Sequence, residues 1–172
     1  MENLAPQAET LRSARQFLGQ KPIAVTPITL KGRPNIDSRQ WSLFGAAWTA
    51  GSLKHLAEGG AASVTYYETH GPLGIMANDR TLYPVFQVLA KVGAFAGGEV
   101  YPAEARNPDH AAALVLKKGG RRLTVLANLT ARPLQAILPS NRSVQRVSLS
   151  GLVDEARRPS SLGPYEVWFL EG

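Results

Sequence analysis

The residues best placed to do chemistry are Glu68 and His70, which follow the β-rich run Ser63-Val64-Thr65-Tyr66-Tyr67 and precede a Gly71-Pro72 loop. A carboxylate and an imidazole two residues apart on an extended chain share one face. Glu68 suits a general base, a ligand or a substrate-positioning group; its plain alternative is a loop glutamate in a salt bridge or helix cap. The imidazole of His70 suits proton transfer or metal binding; its plain alternative is a solvated loop histidine. The spacing permits one metal site without specifying it, and no third ligand stands out, so no cofactor is expected. Arg33 and Asn35 follow an earlier β-branched run, 22–30, and by the same topology face the same side. A guanidinium there suits carboxylates or hydroxyls, unless it is simply a solvated loop arginine. Tyr66 and Tyr67 alternate across their strand, so one faces the site and the other packs on a helix; the pattern does not say which.

These residues need elements to hold them. Residues 9–18 have helical spacing through Leu11, Ala14, Phe17 and Leu18, and Gly19 stops the run. In the first strand Pro27 lacks an N–H and marks a bulge or the strand's end. Asp37 or Ser38 can cap a helix in which Leu43, Ala46, Ala47, Ala50, Leu53 and Ala57 recur at three- and four-residue steps. Gly59-Gly60 ends it and the strand 62–67 follows at once. A third helical pattern runs from Tyr83 to Val92, with Pro84 in its first turn. The alternation argues for a parallel α/β layer, yet two parallel strands do not make a stable sheet alone.

After Gly98 the texture changes to short β runs at 99–105, 111–116, 123–129, 134–138, 144–149 and 166–170. Turn signals separate them, among them Pro139-Ser140-Asn141, and Lys118-Gly119-Gly120-Arg121 reads as a hairpin. The expected division is residues 1–97, a partial (β/α) barrel with its last two strand–helix units, and 98–172, a C-terminal antiparallel β-sandwich. The fold class is thus α/β plus all-β: the C-terminal portion of a TIM-type (β/α) barrel followed by a small antiparallel β-sandwich.

Composition excludes several classes. With 172 residues and 44% hydrophobic content the chain has material for a real core, and with no cysteine it can hold neither a disulfide nor a thiolate metal site. No apolar run approaches the ~20 residues of a membrane helix and the first residues lack a signal-peptide pattern, so no membrane association and a cytoplasmic location are expected. The net charge of +6 is spread out, with tight pairs only at Lys117-Lys118, Arg121-Arg122 and Arg157-Arg158, so no nucleic-acid partner is expected. Trp41, Trp48 and Trp168 read as packing residues, and the absence of a Gly-x-Ser-x-Gly elbow argues against a serine-esterase route.

The order of segments resembles the end of a glycosidase-type (β/α) barrel with an appended β domain. More closely, the chain resembles the D-apionate lactonase family, enzymes that open the lactone of a branched sugar acid. The resemblance is carried by 25–30, 42–49, and above all Gly51-Ser52-Leu53-Lys54-His55-Leu56-Ala57-Glu58 through Ser63-Val64-Thr65-Tyr66-Tyr67-Glu68-Thr69. Tyr83-Pro84, Leu126-Ala127-Asn128-Leu129-Thr130 and Pro164-Tyr165-Glu166-Val167 support it. It implies a lactone hydrolase in which Glu68 and His70 are catalytic and Arg33, Asn35, Tyr66 and Tyr67 bind a small sugar lactone. A glycoside hydrolase of the same barrel class, or a non-catalytic β-sandwich remnant, are the alternatives. It also implies that most barrel strands are not in this chain, so self-association or pairing with an N-terminal half is expected.

Overall fold

The computed structural model describes residues 1, 3–138, 143–155 and 159–172. The turn at Pro139-Ser140-Asn141 and the pair Arg157-Arg158 lie outside the described residues. The chain begins with α1 (Ala5–Leu18), β1 (Ala24–Ile28), a 3-10 turn (Ser38–Trp41), α2 (Leu43–Glu58), β2 (Ser63–Tyr66) and α3 (Pro84–Gly93). It continues through β3 (Glu99–Tyr101), β4 (Ala111–Lys118), β5 (Arg121–Asn128), β6 (Leu134–Gln135), β7 (Ser143–Ser148), β8 (Gly151–Asp154), β9 (Ser161–Leu162) and β10 (Val167–Glu171).

Two departures at the front of the chain have local causes. Helix α1 begins four residues before Glu9, because Pro6 fits its first turn and Leu4 and Leu11 bury themselves against α2. A side chain at Gly51 or Gly59 would collide with Leu4 or Leu11, so glycine sets how closely the two helices approach. The expected capping by Asp37 is real, but it starts only the 3-10 turn, through a bond from Arg39 N. Helix α2 has its own cap, Ser42, whose hydroxyl accepts from Phe44 N.

Helix α2 organises the molecule. From Gly45 to Lys54 every residue is buried, and the helix is apolar on nearly all sides. One side faces the parallel pair β1–β2, where Val25, Val64 and Tyr66 pack toward the core. The other faces an antiparallel sheet of order β3-β4-β5-β10-β7-β8. Alternate residues of that sheet, including Leu114, Leu116, Val125, Val167 and Phe169, join Ala46, Trp48 and Leu56 of α2 in one apolar core. The opposite sheet face puts Leu126, Val144, Trp168 and Leu170 with Leu162 under the small antiparallel pair β6–β9, which forms the second layer of the sandwich.

The hairpin between β4 and β5 pairs Lys118 with Arg121, with Gly119 at φ 56° and Gly120 at φ 80°. Two successive positive φ values are what a type I′ turn requires, and glycine supplies them without strain. Strands β8 and β9 had no counterpart in the sequence reading; each is short and its residues pair in a ladder only once the chain is folded. The β1–β2 ladder is irregular between Val25 and Ile28, at the position of Pro27, which has no N–H to donate.

Candidate functional site

The sheet face turned away from α2 exposes Ala24, Thr26, Ser63 and Thr65, with the Thr65 and Thr26 hydroxyls 2.6 Å apart. Beyond its carboxyl edge lie the two loops that carry the candidate residues. Arg33, five residues past β1, and Glu68, two past β2, meet there: Arg33 Nη2 donates to Glu68 Oε1 at 3.1 Å. The pair is open to water on the arginine side, with 71% of the Arg33 side chain exposed against 28% for Glu68. The Glu68 carboxylate, and after it the Tyr67 side chain, hold the Arg33 guanidinium above its usual pKa. Arg33, Tyr67 and Glu68 therefore form one group.

The two tyrosines have separate surroundings. Tyr66 packs against the apolar core beneath the sheet, and burial pushes its phenol up to about 12, partly offset by a bond with Thr29. This takes Tyr66 away from the loop-facing group and leaves Tyr67 on the side of Arg33. Asn35 and His70 sit exposed on the same two loops, but neither side chain bonds to Arg33, Tyr67 or Glu68 among the described residues. Among the described residues no group of three or more His, Asp and Glu is placed to hold a metal, and no helix is long and apolar enough to cross a membrane.

One positioning residue was not legible in sequence. Gln40 is 1% exposed, accepts a hydrogen bond from the Thr29 hydroxyl and donates to Pro72 O at 3.5 Å. Trp41 Nε1 donates to the same carbonyl at 2.7 Å. Thus Thr29, Gln40 and Pro72 tie the end of β1 to the loop after β2, and so fix the distance between the segments carrying Arg33 and Glu68. The only signal for Gln40 was a polar residue abutting the apolar run of α2.

Residues 34–97 match the family model described as the D-apionate lactonase TIM barrel domain, and residues 108–170 match that of the D-apionate lactonase C-terminal immunoglobulin-like domain. No curated protein matches the chain. Among solved structures, a glycoside hydrolase family 30 subfamily 8 xylanase from Clostridium acetobutylicum is similar at 16% identity and TM-score 0.67, over 88% of this chain and 42% of that one. A GH30 endoxylanase from Clostridium papyrosolvens is similar at 15% identity and TM-score 0.65, over 98% and 46%. A GH39 enzyme from Xanthomonas axonopodis pv. citri is similar at 12% identity and TM-score 0.65, over 96% and 48%. At these identities the likeness is one of fold, and the chain spans less than half the length of each of these structures. With a parallel strand pair and helices of a glycosidase-like TIM barrel, followed by an immunoglobulin-like sandwich, the chain belongs to the D-apionate lactonase family.

Proposed function

We propose that the chain is the C-terminal part of a lactone hydrolase acting on a branched sugar acid, with Glu68 and Arg33 at its reacting centre. The observation that carries this reading is the Arg33–Glu68 pair, held at the carboxyl ends of two parallel strands where barrel enzymes keep their chemistry. In the reaction the Glu68 carboxylate takes a proton from water as its oxygen bonds to the lactone carbonyl carbon. The negative charge that develops on the carbonyl oxygen falls to Arg33 or to donors from further barrel strands. Collapse of the tetrahedral intermediate breaks the ring C–O bond, and the proton held by Glu68 passes to the departing alkoxide. Tyr67 and Asn35 offer hydrogen bonds to sugar hydroxyls.

A glycoside hydrolase reading needs two carboxylates about 5–9 Å apart. Asp37 is bound by the Arg39 side chain and backbone, which leaves Glu68 as the acidic group of these loops facing Arg33. A second carboxylate would have to come from the barrel strands that complete the site, so lactone and glycoside substrates are compared directly. Activity requires the other barrel strands. A groove of about 310 Å³ between α1 and the free edge of β1, floored by Leu11, Val25, Ile28 and Leu56, is where a further strand would seat.

The test uses this chain joined to, or co-expressed with, the N-terminal barrel portion of a family member. Assays compare a branched aldonolactone with an aryl glycoside. Glu68→Gln should lower lactone hydrolysis by about 10²–10⁴-fold and leave the fold intact, because so exposed an ion pair contributes little to stability. A Glu68→Gln enzyme with the full lactone rate, or a wild-type enzyme that cleaves only the glycoside, would overturn the assignment.

A further inference from the structure

The hairpin β7–β8 leans over the start of α3 and leaves a groove of about 210 Å³ between barrel and sandwich. Thr81, Tyr83 and Gln87 line one side; Ser148, Leu149 and Ser150 line the other. The Tyr83 ring also stacks against Trp41, which lies outside the lining, with centroids 6.1 Å apart and planes inclined by 24°. Trp41 is held by its bond to Pro72 O yet remains 38% exposed, and Leu149 is 68% exposed. The apolar wall therefore stays open to solvent.

Among the described residues no Asp, Glu, Lys, Arg or His lines the groove. The carboxylate close enough to act on the lining is Asp79, which after burial raises the pKa of the Tyr83 phenol. The Gln87 amide makes no hydrogen bond to a described residue, and its Nε2 lies 3.9 Å from where a side chain on Gly151 would begin. It is half-buried with both donor and acceptor capacity unused. Facing it, the Ser148 hydroxyl donates to Gly151 O at 2.9 Å and accepts from Ser150 N at 3.2 Å, and the Ser150 hydroxyl beside it, 3.1 Å away, is the one placed to meet a ligand. An apolar wall beside convergent uncharged donors and acceptors is how a site orients a small polar ligand.

We propose that this groove binds a neutral saccharide, one ring at a time. A sugar ring matches both halves. Its C–H face packs on the apolar wall formed by Tyr83, Pro84 and Leu149, and its hydroxyls exchange hydrogen bonds with Gln87 and Ser150. The volume is below the ~300 Å³ at which drug-sized pockets begin, which limits occupancy to a single unit. A charged sugar acid would lose hydration here without gaining an opposite charge. The site is thus suited to a different ligand from the Arg33–Glu68 loops, and it does not depend on their assignment.

Trp48 and Trp168 are buried, so Trp41 is the exposed indole, and its fluorescence reports on Tyr83, the groove-lining ring stacked against it. The chain is titrated with D-xylose, D-glucose and xylobiose, with D-glucuronate as the charged control. The expected result is a saturable emission change with neutral sugars at millimolar concentrations, and binding of D-glucuronate weaker by about tenfold or more. Gln87→Leu removes two hydrogen bonds and should weaken binding roughly tenfold. Ser150→Ala, on an exposed turn, should weaken it by a smaller factor and keeps the test decisive if Gln87→Leu fails to fold. Proton–nitrogen correlation spectra should show the Gln87 side-chain amide shifting with the same affinity. No saturable response to any neutral sugar, tighter binding of D-glucuronate, or wild-type affinity in the folded variants would overturn the proposal.

Discussion

Replacing Lys54 by methionine should destabilise the protein by about 3 kcal/mol. Lys54 lies toward the end of α2 with 9% of its side chain exposed, and its Nζ is 2.6 Å from Glu58 Oε2, itself 18% exposed. The other Glu58 oxygen accepts from Ala103 N at 3.1 Å, so the pair links α2 to the loop between β3 and β4 of the sandwich. Removing one member of a buried pair costs about 3–5 kcal/mol, since the remaining charge is left uncompensated. The bond from Ala103 stays in place, which puts this case at the lower end. Glu58→Gln should cost a similar amount, while the double variant Lys54→Met with Glu58→Gln buries no charge and should cost less than the two single losses added together. Urea unfolding of the four proteins measures the cycle, with a coupling of about 2 kcal/mol expected. His55 supplies a second readout. Burial first, and the Lys54 charge second, hold its imidazole below the usual value near 6.5. The unfolded chain then binds the proton more readily, so stability is complete above about pH 6.5 and falls as pH drops from there toward the folded pKa. Lys54→Met removes the repulsion, so His55 should titrate higher by nuclear magnetic resonance. A cost under about 1 kcal/mol, or single-variant losses that simply add, would refute the account of the pair as buried and coupled.

Two further outcomes follow from buried polar groups. Asn128 is fully buried; its amide donates to Arg132 O at 2.7 Å and Gly163 O at 2.8 Å, and its carbonyl accepts from Thr130 N at 2.9 Å. Asn128→Ala should cost about 3 kcal/mol by leaving these groups unpaired, and Asn128→Asp should cost more, because a carboxylate would face carbonyl oxygens; thermal or urea unfolding checks both. Tyr66, with its phenol raised to about 12, favours the folded state below the ordinary tyrosine value near 10 and withdraws that support as pH rises toward 12. Ultraviolet titration should show one tyrosine ionising later than the rest, and Tyr66→Phe should abolish that late step.

Much of the fold could be read from residue order alone. The pattern from Leu43 to Ala57 and the Gly59-Gly60 stop gave α2, and period-two runs bounded by glycine and proline gave the longer sandwich strands. These signals are local: a helix face, a cap or a two-glycine turn is specified within a few residues. So was the placement of Glu68 just beyond a strand, which chain topology dictates. The pairing of Arg33 with Glu68, 35 residues apart, and the burial of Gln40 needed the folded chain, because both arise where two separate loops meet. Alternation said that Tyr66 and Tyr67 oppose each other; only the position of α2 beneath the sheet decided that Tyr66 enters the core. The short strands β8 and β9 fall in the same class, since two to four residues carry too little pattern to announce a strand before a partner is in place. Sequence thus determined which elements form and where reactive side chains leave them, whereas tertiary structure decided which side chains meet, because distance along the chain carries no information about which loops will touch.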